Sequence, residues 1–94
     1  MTGYSLVFRV HAIQRMFQRS ISDEDVRQVL HTGEVVQEYP DDRPYPSRLV
    51  LGWFGPRPIH VAVADNQVQG ELIVITVYEP DPDQWEPGFL RRKS

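Results

Sequence analysis

Apolar and polar positions between residues 11 and 19 repeat with a helical period. Ala12, Met16 and Phe17 are the expected core side, while His11, Arg15 and Arg19, at i, i+4 and i+8, form one basic stripe. The preceding run 5–10 (SLVFRV) reads either as a short first strand or as the lead-in to this helix. The next boundary is written in side chains. Ser22 is an N-cap with Asp25 in the capping-box position, Asp23 and Glu24 stand in the first turn, and Ile21 and Val26 suit a hydrophobic staple. Val26, Val29 and Leu30 then form a buried face, and Gly33 is the expected left-handed stop. Two helices with their corner at residues 20–22 follow.

After Gly33 the period becomes that of extended chain. Residues 34–39, 47–54, 59–64 and 71–79 read as four strands, separated by a proline-rich loop, a Gly-Pro-x-Pro turn and a polar hairpin turn at 65–70. The last strand is nearly apolar on both faces, as a central strand is. The predicted fold is α+β: an αα-hairpin packed on one face of an antiparallel sheet of about four strands. It is a single domain over 1–94, with the hairpin at 1–33, the sheet at 34–79 and a proline-rich segment at 80–94. Leu49, Leu51 and Trp53, then Ile59, Val61 and Val63, then Ile73, Ile75 and Val77 are the alternating core sets. That phasing leaves Arg48, His60, Thr76 and Tyr78 on the opposite face; Trp53 and Trp85 are expected in the core.

The 94 residues suit one small core, and the absence of cysteine excludes disulfides and thiolate metal sites. No apolar run reaches the ~18 residues of a membrane span, so a cytoplasmic protein without membrane contact is expected. The net charge of −3 argues against a generic nucleic-acid coat. Its distribution matters more. The first 22 residues carry three arginines and no carboxylate, and residues 43–64 carry Arg43, Arg48 and Arg57, again with no acid. The two acid-free blocks have the makings of one positive surface on an acidic protein.

This composition favours an anionic ligand, with RNA the sharpest candidate. Metal-independent RNA cleavage needs a base for a 2′-hydroxyl, an acid for the leaving oxygen and fixed positive charge near the phosphorus. His11 and His60 are candidates for proton transfer, Tyr78 for a donated proton or a base stack, and Arg15, Arg19 and Arg48 for phosphate. The histidines have no metal-ligand spacing, so neither a metal nor a cofactor is expected.

Several segments together, HAIQRMFQRSIS with V-x-x-V-L-x-x-G behind it, YPDDRPYPSRLVLG, PIHVAVA and VITVYEPDPDQWEPGF, resemble a bacterial family, domain-of-unknown-function (DUF) family 4258. Its members are similar in outline to RelE/ParE-like toxins. The resemblance implies a toxin-like ribonuclease or gyrase-inhibitor scaffold with a protein antitoxin as partner. Its motif positions fall on His11, Arg15, Arg19, His60, Thr76, Tyr78 and Trp85. The chain departs from the basic RelE pattern in being acidic, with Lys93 its only lysine.

Two alternatives stand beside the ribonuclease. One is a non-catalytic interaction module or inactive member, using the sheet edge or the acidic C-terminal segment to bind a partner or a second copy in a homodimer. The other is a DNA- or topoisomerase-binding version of the scaffold, disfavoured by the low arginine density.

Overall fold

A computed structural model describes residues 4–94; the first three residues of the expected 1–33 hairpin unit lie outside that range. The elements run β1 (Ser5–Phe8), α1 (Val10–Arg19), α2 (Asp23–Thr32), β2 (Glu34–Tyr39), β3 (Ser47–Phe54), β4 (Arg57–Asn66) and β5 (Glu71–Tyr78). They make an α+β fold with one five-stranded mixed sheet in the order β1-β5-β4-β3-β2. The expected sheet of about four antiparallel strands is therefore one strand short. The ambiguous run at the N-terminus is β1, paired in parallel with β5. β5 is apolar on both faces, and β1 covers the edge that β4 leaves open.

The helix corner follows from local chemistry. The chain turns at Ser20, in the left-handed region at φ 57. The Ile21 amide donates to the Met16 carbonyl at 2.8 Å and the Ser20 amide to Phe17 at 3.4 Å. This is the Schellman arrangement, and its apolar clasp is Ile21 against Met16, both buried. At α2 the Ser22 amide donates to Asp25 Oδ2 at 2.9 Å and the Asp25 amide to Ser22 Oγ at 3.1 Å, completing the capping box. Gly33 is extended, with φ −77, rather than left-handed. Glycine is needed there for space: a Cβ would stand 2.4 Å from the Leu51 carbonyl oxygen and 2.5 Å from that of Val29.

The core lies between the helices and one face of the sheet. Ala12, Met16, Ile21, Val26 and Val29 meet Val50, Ile59, Val61, Val63, Val74 and Val77. Gly52 lets α2 approach, because a Cβ there would fall 2.5 Å from Val29 Cγ2. Phe17, expected in the core, is 87% exposed. At 100° per residue it falls with Val10 and Ile13 on a flank of α1 between the buried side and solvent.

Two strands depart from the expected phase. In β3, Val50 opposes Val61 and faces the helices, so Leu49, Leu51 and Trp53 share the other face with His60. Arg48 opposes Val63 and thus lies on the helix side, away from His60. In β5 a bulge leaves Ile75 without a partner between the pairs Ala62–Thr76 and Val63–Val74. The extra residue turns Val74 toward the helices and Ile73 toward the His60 face. Residues 80–94 lie across part of that face, burying Trp85; Trp53 stays 48% exposed with its ring edge toward Phe89.

Candidate nucleic-acid interface

The basic residues of α1 are placed by its amphipathic pattern. Burial of Ala12 and Met16 rotates His11, Arg15 and Arg19 to the surface, where all three are exposed. The acids of α2 do not neutralise them. Asp23 pairs with Arg27 at 3.8 Å and Asp25 is held in the capping box. Among the described residues neither Arg15 nor Arg19 has a carboxylate within 4.0 Å. The stripe spans eight residues of rise, roughly 12 Å.

At one end of the stripe a groove of about 490 Å³ opens. Arg9 and His11 line it from the start of α1, Arg43 and Tyr45 from the β2–β3 loop, and Ala64 and Ile75 from the sheet. The acid in its wall, Asp42, accepts the Ser47 hydroxyl at 2.6 Å. Arg9 caps α1 without a side-chain bond and no acid stands in the first turn, so the positive end of the helix dipole adds to the same potential. At the other end Arg57 donates to the Arg19 carbonyl at 3.1 Å and pairs with Glu79 at 3.4 Å. The two acid-free blocks of the sequence thus meet at both ends of α1. Arg9, Arg43 and Tyr45 were not among the candidates from sequence. Their signal was present in the charge blocks, but only the loop's path brings them to His11.

His60 and Tyr78 form a separate constellation. His60 is 0% exposed, with its Nε2 2.9 Å from the Phe89 carbonyl and its Nδ1 3.2 Å from the Tyr78 hydroxyl. A carbonyl only accepts, so Nε2 carries the proton and the bare Nδ1 accepts from Tyr78. Trp85 closes the third side, its ring edge-on at 4.6 Å. Burial pushes the imidazole pKa below 6.5, and the Phe89 carbonyl only partly offsets this. Burial also raises the Tyr78 hydroxyl; Tyr39 adds to the rise and Arg92 opposes it. Both ring nitrogens of His60 are committed within the protein. The nearest approach of the groove along that strand is Ala64, four residues from His60, roughly 13 Å of extended chain. His11 and His60 are not brought into one site.

Arg48 stands in a third place, a depression of about 240 Å³ shared with Glu38 and Asp65. One Asp65 oxygen there, Oδ1, is buried without a hydrogen-bond partner. Two carboxylates around one guanidinium make that setting net anionic, unlike the groove at His11. A further depression, about 820 Å³, has Leu6, Leu30, Phe54 and Leu72 among its lining residues, which are the margin of the core. No three His, Asp or Glu side chains converge as a metal site among the described residues, and no helix there is long and apolar enough to cross a membrane.

No curated protein and no solved structure matches this chain. One family model does, over residues 8–79, from the end of β1 to the residue after β5, leaving the segment that covers His60 outside the match. The chain belongs to that family, the domain of unknown function DUF4258.

Proposed function

We propose that this protein is a small toxin-like domain that acts on RNA as a metal-independent ribonuclease, with α1 as its working surface. The observation that carries this reading is the exposed stripe of His11, Arg15 and Arg19, unpaired with carboxylates and continued by Arg9 and Arg43 around one groove. Arg15 and Arg19 hold phosphates, and their planar guanidinium groups match phosphate oxygens in pairs. His11 removes the proton of a 2′-hydroxyl. The 2′-oxygen bonds to phosphorus, the bond from phosphorus to the 5′-oxygen breaks, and the departing oxygen takes a proton from water. The products are a 2′,3′-cyclic phosphate and a 5′-hydroxyl end. In this reading His60 and Tyr78 hold the C-terminal segment on the sheet, and Arg48 stands outside the phosphate path.

Induced expression in a bacterial host, wild type against a His11→Ala/Arg15→Ala double variant, tests the proposal. Both side chains are exposed, so the variant is expected to fold. Growth arrest with fragmented RNA, lost in the variant, is the expected result. Fragmentation that persists in a folded double variant would remove His11 and the stripe from the mechanism.

A second reading has its own observation. Val10, Ile13 and Phe17 expose an apolar flank on α1, on the side of the helix away from the basic stripe. A protein target with an apolar face would dock on that flank and leave the arginines uncovered. Arrest without RNA damage, together with loss of arrest on Phe17→Asp, would favour this interaction module over the ribonuclease.

A further inference from the structure

The groove beside α1 differs from the stripe that leads to it. Arg15 and Arg19 offer charge alone, whereas the groove combines charge with an aromatic ring and apolar surface. Arg9 and Arg43 stand on its walls, Tyr45 is half-buried in the β2–β3 loop, and Ala64 and Ile75 supply the apolar part. Ile75 is the unopposed residue of the β5 bulge and is 36% exposed. A bulge re-aims a side chain that a regular strand would commit to a face. Asp42 accepts the Ser47 hydroxyl and keeps its charge, which the two guanidinium groups outnumber. The volume, about 490 Å³, lies within the range of small-molecule pockets.

We infer that this groove seats one unstacked base of single-stranded RNA, with Tyr45 against the base and Arg9 and Arg43 on the phosphates beside it. The inference rests on the RNA-acting reading above and adds the form of RNA that is taken. Duplex RNA keeps its bases paired and stacked and presents mainly backbone and 2′-hydroxyls, so it reaches the stripe but not the groove. A single strand offers a splayed base to an aromatic ring and its phosphates to the arginines in the same contact. Seating the base next to His11 also places the 2′-hydroxyl of that nucleotide near the imidazole. Tyr45, Arg9 and Arg43 are then binding residues that select strandedness, and His11 remains the proton acceptor.

Fluorescence anisotropy with a labelled 2′-O-methyl RNA, which has no 2′-hydroxyl to attack, measures binding without cleavage. The same sequence is presented as a single strand and as a blunt duplex to wild type, Tyr45→Ala, Arg43→Gln and Arg15→Ala/Arg19→Ala. Wild type is expected to prefer the single strand by about tenfold or more. Tyr45→Ala is expected to weaken single-strand binding by about 5- to 150-fold, the worth of one base–aromatic stack, and to leave duplex binding unchanged. Arg43→Gln, at an exposed position, gives the same selectivity loss with no core contact removed. The stripe variant is expected to weaken both forms and reduce the salt dependence. Equal binding of single strand and duplex, or groove variants that bind as wild type does, would overturn the base seat while the RNA reading stands. A folded wild type that binds neither RNA overturns both.

Discussion

At His60 both ring nitrogens are committed, one donating to Phe89 and the other accepting from Tyr78, so a second proton would reverse the Tyr78 bond and bury a charge. The unfolded imidazole takes up its proton near pH 6.5, and the folded one at a lower pH because burial disfavours the cation. Above pH 6.5 both states are neutral and stability is complete. As pH falls below that value the unfolded chain binds the proton first, and stability declines until the folded pKa is reached. The urea midpoint is expected to fall between about pH 7.5 and about pH 5, and His60→Gln, which keeps one donor and one acceptor, is expected to flatten that slope. An unchanged slope in a folded His60→Gln protein would show that other groups carry the dependence. His11, on the exposed side of α1, has no such constraint and keeps its ring open to a ligand. Both were candidates for the same task by residue type; burial is what separates them.

Among the elements, the helices and the strands β2 and β3 are set by neighbours in sequence. β2 and β3 begin and end where alternation and turn residues predict, and α2 begins at its capping box. The contact between α2 and β3 is narrower than propensity indicates, because Val29 sits over Gly52. Gly52→Ala is expected to destabilise the protein by about 1–3 kcal/mol, since a new methyl group must displace the helix or the strand. Thermal unfolding reads this directly, and a melting temperature equal to wild type would mean that α2 shifts freely. β1 and the β5 bulge were harder to foresee. A four-residue strand gains its stability from the strand it joins, and β5 lies more than sixty residues downstream. A bulge shows only when two strands are set side by side.

For the whole molecule, the chain uses its own C-terminus to cover part of the sheet face that the helices leave open. Trp85 is the anchor, buried against His60, with Arg92 5.4 Å from its ring centre. Trp85→Ala is expected to cost about 3–5 kcal/mol if the segment and sheet unfold together. Hydrogen exchange would rise in residues 80–94 and along β4. Unchanged exchange in both regions would show that the segment is held by other contacts. Charge also has to be read at this scale. An overall charge of −3 conceals a local arrangement in which Arg9 and Arg43, distant in sequence, share a groove where they outnumber the lining acid, Asp42.

The sequence by itself determined the two helices, the capping box at their corner, and the spans of β2 and β3. Period, caps and turns act between residues a few positions apart, where chain geometry leaves few choices. It also identified the basic stripe, since i, i+4 and i+8 share a face in any α-helix. Only the tertiary structure decided the parallel pairing of β1, the faces of β3 and β5, the sealing of His60 and the meeting of His11 with Arg43 and Tyr45. Strands that are apolar on both sides carry no phase of their own, and one inserted residue reverses every side chain beyond it. Which surfaces meet is then settled by long-range packing, where the free energy of burying one face is weighed against burying the other.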